Sequence, residues 1–435
     1  MLVVAKFGGT SCADSLQFIK VQKIINEDLC RQVIVVSALG KRHKEDHKIT
    51  DLLYLLSAHI KYGVNADHLW QEIFNRYNSI KIDLGLNINL NTEFAKIKED
   101  ISKNFDEAYL VSRGEYLSAK LMAAYLGYKF IDASKLFYFD YNGLIDFHLT
   151  DEAIIKSIRP GDRVVVPGFY GKNPNGMIKL FSRGGSDITG SLLARALKAT
   201  KYENWTDVSG ILVADPKLIT APKRIDVINY DELRELSYMG ASIIHEETIL
   251  PIADLDIPIY ILNTNAPNEA GTIISKDAIN KDNLITGIAG KKNYLSLNIV
   301  KEKQADKLEV LIKVLEVLKA YHVGIENLPT SIDSFSLILE NKKVSDKLMQ
   351  VIGDIRKIND IIDVSVDNDM ALIAIVGRNM VLRPGISGRI FSILGSADIN
   401  IKMIAQGAKE FTIILGVSNQ NYEKAIKVIY NELVM

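Results

Sequence analysis

Apolar positions in this chain recur with two periods. Val3–Phe7, Gln32–Ser37, Arg163–Pro167, Met177–Phe181 and Pro258–Leu262 are short runs rich in β-branched residues, which predict strands. Between them, Tyr116–Leu126 and Ser191–Leu197 place apolar residues three and four apart, which predicts helices. Strands separated by helices over residues 1–283 predict an α/β domain. Its sheet is expected to be mainly parallel and covered by helices on both faces.

Around Asn263–Asn283 the chain turns to Asn, Ala, Pro, Gly and charge, and a domain boundary is expected there. Two similar units follow. The first, residues 291–369, reads strand Leu295–Val300, helix Asp306–Ala320, strands His322–Asn327 and Ser334–Leu339, helix Ser345–Lys357 and strand Ile361–Val366. Leu308, Leu311, Ile312 and Leu315 give its first helix one apolar stripe. The second reads strand Ala371–Val376, helix Gly385–Ser396, strands Asn400–Ala405 and Phe411–Val417 and helix Tyr422–Leu433. This is a βαββαβ repeat whose second copy lacks a fourth strand. The unclaimed strand Leu284–Ala289 is expected to complete it, so that residues 284–290 and 370–435 form one unit with the other inserted.

Composition narrows the class. Of 435 residues, 52 are Lys or Arg and 53 Asp or Glu, a balance that argues against a nucleic-acid partner. The longest stretches without a charge, Ile257–Asn268 and Phe411–Tyr422, have 12 residues, whereas a membrane span needs ~20 mostly apolar ones. Lys6 comes too early for the apolar region of a signal peptide. Two cysteines, Cys12 and Cys30, build no disulfide framework. A cytoplasmic multidomain protein is expected.

Two loops carry candidate chemistry. Lys6-Phe7-Gly8-Gly9-Thr10-Ser11 stands at the end of the first strand. Its glycines would let backbone N–H groups approach phosphate oxygens while Lys6 supplies a mobile charge; an ordinary turn with a solvated lysine reads equally from the string. Ser182-Arg183-Gly184-Gly185-Ser186-Asp187-Ile188-Thr189 is a second such loop, opening a helix. There Asp187 either caps the helix or serves a site.

These segments, followed by Thr206-Asp207-Val208-Ser209-Gly210-Ile211, Ala214-Asp215-Pro216-Lys217 and Lys223-Arg224-Ile225-Asp226, occur in the order seen in aspartokinases of the amino acid kinase superfamily. Val376-Gly377 to Pro384-Gly385-Ile386 and Asn400–Gly407 resemble the ACT domain that ends those enzymes, so the similarity covers essentially the whole chain. The resemblance is to monofunctional members. It implies transfer of phosphate from MgATP to the side-chain carboxylate of L-aspartate, giving 4-phospho-L-aspartate, the first step toward lysine, threonine, methionine and isoleucine. A carboxylate nucleophile is already ionised at pH 7 and needs no general base. Related kinases acting on glutamate, acetylglutamate or carbamate usually lack an ACT pair. A non-catalytic amino acid sensor on the same fold is the rival from another class.

Roles follow from the resemblance residue by residue. Lys6 would stabilise the transferring phosphate and Asp187 would orient and balance that cluster. Gly8, Gly9, Gly184 and Gly185 would offer backbone donors. Arg183 would take the substrate's α-carboxylate, and Glu115, in Ser112-Arg113-Gly114-Glu115, its ammonium; read alone, Glu115 is a first-turn carboxylate favoured by the helix dipole. Thr50, Phe169 and Ser186 would line the substrate pocket. Thr206, Asp207, Asp215 and Lys217 would contact the nucleotide. No protein-ligated metal is expected. In the tail, Glu326, Thr330 and Ser331 match the effector-binding stretch. Lysine is the favoured effector, with threonine the alternative, because Glu326 and Asp306 offer anionic partners. Domain edges pairing between chains imply a homodimer or tetramer.

Two departures stand out. Ser37-Ala38-Leu39-Gly40 runs into Lys41-Arg42-His43-Lys44-Glu45-Asp46-His47-Lys48 before Thr50. That insertion reads either as a basic lid over phosphates or as a solvated mobile loop. Many aspartokinases carry Gly-Ala-Lys-Val-x-His-Pro where this chain has Gly240-Ala241-Ser242-Ile243-Ile244-His245-Glu246. Another cation, Lys217, Lys223 or one from the 41–48 loop, is expected to replace the missing lysine.

Overall fold

The computed structural model describes residues 1–182, 184–241, 244, 246–276, 278, 283–381 and 383–435, without the side chains of 246 and 247. Two compact units emerge from it. One comprises Met1–Ile211, Arg224–Tyr230 and Ile243–Ala278; the other comprises Leu212–Lys223, Asp231–Ser242 and Ile279–Met435.

The first unit is built on strands β1 (Val3–Phe7), β2 (Arg31–Val36), β3 (Lys129–Phe130), β4 (Val164–Pro167), β5 (Lys201–Thr206), β6 (Val227–Ile228), β7 (Ile259–Asn263) and β8 (Thr272–Ile274). They form one sheet in the order β6-β8-β7-β5-β1-β2-β4-β3. Every neighbouring pair is parallel except β7 with β8. Successive side chains of a strand point to opposite faces. Since Val33, Ile34, Val35 and Val36 are all buried, both faces are covered. The helices are α1 (Ser15–Glu27), α2 (Ile49–Lys61), α3 (Asp67–Asp83), α4 (Leu90–Lys103), α5 (Glu107–Leu126), α6 (Phe147–Ser157) and α7 (Gly185–Ala196). Helix α5 starts where Asp106 accepts from the N–H groups of Ala108 and Tyr109, and stops at Gly127 in the left-handed conformation. The expected strand Met177–Phe181 shrinks to Ile178–Leu180. It pairs only with Tyr170–Lys172 in a separate antiparallel hairpin, so it adds nothing to the main sheet.

In the second unit α8 (Tyr230–Tyr238) contributes its residues from Asp231 onward. The antiparallel sheet has the order β10-β9-β11-β13-β12, with β9 Gly287–Lys301, β10 Ser334–Glu340, β11 Ile361–Val376, β12 Met403–Gln406 and β13 Thr412–Val417. Strands β9 and β11 run the whole length of the sheet. Gly287–Lys291 pairs with Leu372–Val376, and Tyr294–Lys301 pairs with Ile361–Met370. Helices α9 (Lys307–Ala320), α10 (Leu348–Ile355), α11 (Ile386–Ser396) and α12 (Tyr422–Leu433) complete it. Val310, Val314 and Leu318 of α9 pack with Leu295, Leu297 and Ile299 of β9. The expected strand His322–Asn327 does not form. His322 has φ 53°, and only the isolated bridges Asn327–Ile338 and Thr330–Phe335 tie this stretch to β10. A left-handed residue, Gly324 and Pro329 work against a continuous ladder. Among the described residues no helix is long and apolar enough to cross a membrane.

Candidate active site

Parallel sheets place their loops, and with them their ligand sites, at the carboxyl ends of the strands. Here β1 ends in Gly8 and Gly9, β2 in Ser37–Gly40, β4 leads into Phe169 and β5 ends at Thr206. All of these line one cavity of about 490 Å³ in the first unit, with Lys6, Thr50, Glu115, Gly184, Gly185, Ser186, Asp187 and Asp207. The loops that differ most in sequence position thus converge on one place.

Lys6 is 7% exposed, and its ammonium lies 2.5 Å from Asp187 Oδ1. Asp187 does not cap its helix: Gly184, left-handed at φ 75°, is the N-cap residue of α7 and Asp187 stands in the first turn. Asn204 joins the pair. It accepts from Lys6 Nζ at 3.2 Å and donates from Nδ2 to Asp187 Oδ1 at 3.1 Å. Asn204 was not singled out in the sequence, although the parallel register of β1 and β5 sets it directly beside Lys6.

Glu115 sits within α5 rather than in its first turn, and is 4% exposed. Burial pushes its carboxyl up to about 8, against the opposing influence of the Ala38 N–H and the Arg113 charge. Its Oε2 is buried without a hydrogen-bond partner. Gly114 lets this happen: a Cβ there would stand 2.9 Å from that of Ala38, so only glycine brings α5 close enough to the loop after β2. Tyr77 reinforces the contact by donating to the Gly114 carbonyl at 2.8 Å. A buried carboxyl with an unused oxygen, facing a cavity, is a receptor for a cation.

Phe169 is held at φ 79°, a costly conformation for an aromatic residue. Its N–H donates to Thr189 Oγ1 at 3.1 Å, and that hydroxyl donates to the Gly185 carbonyl at 2.8 Å. The two sides of the cavity, the loop after β4 and the start of α7, are therefore locked together.

The 41–48 insertion is anchored rather than loose. Arg76, 4% exposed on α3, donates to Asp46 Oδ1 at 3.3 Å, to the His47 carbonyl at 3.0 Å and to the Gly40 carbonyl at 2.7 Å. The Arg42 side chain hydrogen-bonds the same carboxylate and, against the cost of burial, holds Asp46 well below the usual carboxylate range. Lys48 lines the cavity. Gly40 itself touches the first glycine loop, its N–H donating to the Gly9 carbonyl at 2.7 Å; a Cβ would stand 2.4 Å from the Gly9 carbonyl carbon. Gly40→Ala is expected to destabilise the fold by about 1–3 kcal/mol. It should also raise the Michaelis constant for the phosphoryl donor, read from denaturant melts and steady-state kinetics.

The remaining expected positions are placed as follows. Arg183 and Ser242 lie outside the described residues. Asp215 and Lys217 are exposed on the segment Leu212–Lys223 of the second unit, where Asp215 Oδ1 accepts from the Lys217 N–H at 2.8 Å. In that unit Glu326 lies 4.0 Å from the Lys343 ammonium. Thr330 and Ser331 are exposed beside β10. Asp306 caps α9, accepting from the Glu309 N–H at 2.9 Å. His43 faces Glu45 at 3.5 Å in the exposed loop. Among the described residues no group of three or more His, Cys, Asp or Glu side chains could hold a metal ion.

Comparison with known proteins places these geometries in context. Residues 1–263 match the model of the Amino acid kinase family, and residues 373–433 that of the ACT domain. The chain is 33% identical to aspartokinase 3 of Bacillus subtilis, over 99% of its own length and 98% of the relative's. The crystal structure of Clostridium acetobutylicum aspartate kinase superposes with a TM-score of 0.93 at 44% identity, covering 99% of this chain and all of the other. Escherichia coli aspartokinase III covers both chains in full. Its complex with aspartate and ADP gives a TM-score of 0.79 at 25% identity, and its complex with lysine and aspartate 0.77 at 26%.

Proposed function

We propose, from the premise that this chain belongs to the amino acid kinase family and within it to the aspartokinases, that its cavity transfers the γ-phosphoryl group of MgATP to the side chain of L-aspartate. The activity class is that of an allosterically regulated aspartate kinase; the residue roles, the product and the effector are the proposed parts. A side-chain carboxylate oxygen attacks the γ-phosphorus and forms the new O–P bond. The bond to the oxygen bridging the β- and γ-phosphorus breaks, and ADP leaves with the electron pair, giving 4-phospho-L-aspartate. No proton moves, because the nucleophile is ionised. The work left for the protein is positioning and charge neutralisation.

One observation carries this reading: a buried carboxyl with a partnerless oxygen, Glu115, shares a cavity with the ion-paired Lys6 and Asp187. A substrate that is both anion and ammonium fits such a pair of opposed features. Lys6 is assigned to the transferring phosphoryl group, with Asp187 and Asn204 fixing its ammonium. Gly8, Gly9, Gly184 and Gly185 line the phosphate region, Thr206 and Asp207 the nucleotide side, and Thr50, Phe169 and Ser186 the aspartate side. Arg183, Asp215 and Lys217 are assigned by resemblance. Magnesium enters with ATP as part of that substrate. The reaction opens the route to lysine, threonine, methionine and isoleucine.

Residues 1–283 are taken as the catalytic domain, 291–369 as one ACT unit and 284–290 with 370–435 as the other. Lysine is the proposed effector. Glu326, its side chain largely covered, offers a carboxylate for an ammonium group, and the Escherichia coli relative was solved with lysine. Among the described residues the edge of β12 carries no further strand and suits pairing between copies, so a dimer is the smallest proposed assembly.

The test is ADP release from MgATP with L-aspartate, L-glutamate or neither, repeated with L-lysine and L-threonine. Aspartate-dependent turnover suppressed by lysine is the expected result. Turnover indifferent to lysine would remove the effector assignment and leave the kinase. Binding of both substrates without turnover would favour the sensor.

A further inference from the structure

Lys6 spends its charge inside the protein, since Asp187 and Asn204 engage it. Among the described residues lining the cavity, Lys48 is the other cation, and it has no ion-pair or hydrogen-bond partner for its ammonium. Asp187 and Asp207 bring two negative charges to the same cavity, which cancel the two lysines while burial keeps Glu115 protonated near neutrality. Polyphosphate and a dicarboxylic amino acid would add several more. A lysine on a solvated loop would contribute little to that balance, because its position would be averaged over many conformations.

Lys48 is itself exposed, yet the backbone that carries it is held. The residue before it, His47, gives its carbonyl to Arg76 at 3.0 Å, and the residue after it, Ile49, donates its N–H to the Leu39 carbonyl at 3.0 Å. The insertion closes on itself where the Arg42 N–H meets Asp46 Oδ2 at 2.9 Å. Arg76 binds the closed turn, through Asp46, to the Gly40 carbonyl that also edges the cavity. A buried guanidinium donating to a carboxylate and to several carbonyls is a fixed frame.

We propose that Lys48 is a second catalytic cation of the phosphoryl transfer, and that Arg76 and Asp46 are positioning residues that hold it there. The proposal rests on the reading of the cavity given above. Lys48 donates to the oxygens of the transferring phosphoryl group, where negative charge is redistributed as the bond to ADP breaks. Within the insertion, Lys48 then serves the transfer and Asp46 holds it in place.

The experiment is steady-state kinetics of the full chain bearing Lys48→Met, Lys48→Arg, Lys6→Met or, as an exposed neighbour, Lys44→Met. Lys48→Met is expected to lower kcat by about 100-fold, Lys48→Arg to recover part of it, and Lys44→Met to stay within about twofold of the parent. Loss of activity in Lys6→Met with kcat and both Michaelis constants unchanged in Lys48→Met overturns this proposal and leaves the cavity reading standing. An active Lys6→Met protein overturns the cavity reading itself. A Lys48→Met effect confined to the Michaelis constant for aspartate also overturns it, since the lysine would then serve the substrate's carboxylate. For the positioning pair, Asp46→Asn should lower kcat in the parent and have no further effect in the Lys48→Met background. A merely structural role would add in both, together with the same loss of thermal stability.

Discussion

Replacing Lys6 by methionine is expected to lower kcat for aspartate-dependent ADP formation by at least ~10³ while the protein remains folded. The size follows from its place. Lys6 is nearly buried at the end of a central strand and held from two sides by Asp187 and Asn204. Its ammonium therefore reaches a transferring phosphoryl group with almost no reorganisation, the condition under which a charge is worth most to a transition state. The substitution also leaves Asp187 without its cation, with a stability cost of about 1–3 kcal/mol. Asp187 is 18% exposed at its side chain and opens on the cavity, so water relieves part of that. Pairing Lys6→Met with Asp187→Asn separates the two effects. The double variant should regain the lost stability, because no uncompensated charge remains, and stay inactive. Recovery of turnover in the double variant would show that Lys6 acts only by neutralising Asp187.

Much of this site was legible in the chain because its parts are local strings. Gly8 and Gly9, Gly184 to Asp187, and Thr206 with Asp207 follow strands or open a helix, and a parallel sheet brings such ends together whatever their separation in sequence. The positions of the helices and most strands of both units were legible for the same reason, but not the buried face of α9: Leu308 and Ile312 of the expected stripe are exposed, while Val310, Val314 and Leu318 are buried. What was not legible depends on contacts between distant residues. Asn204 reads as an ordinary polar residue inside a strand until the register sets it beside Lys6. Arg76 reads as one more charge on an amphipathic helix, yet it is 4% exposed and ties two loops together. Hydropathy likewise suggested separate strands in the two tail units, where single strands β9 and β11 serve both. It also suggested a strand at His322–Asn327, because periodicity registers apolar spacing and not the backbone cost of His322 and Gly324.

Glu115→Gln is expected to raise the Michaelis constant for L-aspartate by ~10²-fold or more at pH 8.5, and to abolish its dependence on pH. The parent's own profile supplies the sign. With a carboxyl pushed up to about 8, Glu115 carries a proton at pH 6 and 7. An ammonium group binds the ionised form, so aspartate binding must expel that proton below pH 8. The Michaelis constant for aspartate should then fall about tenfold per pH unit from pH 6 to 8 and level off above, a slope the Gln variant lacks. Stability moves the opposite way. The folded value lies above the unfolded 4.5, so the unfolded chain releases the proton first as pH rises. The parent therefore loses stability between about pH 4.5 and 8, on the order of 5 kcal/mol in all. The variant escapes this cost. Its melting temperature should equal the parent's below pH 4.5 and exceed it by several degrees at pH 8.5. Weaker aspartate binding joined to a more stable fold would mark Glu115 as a group whose burial is tolerated for the sake of its ligand. A variant that loses stability at pH 8.5 would instead make Glu115 a structural residue, and the ammonium assignment would fall.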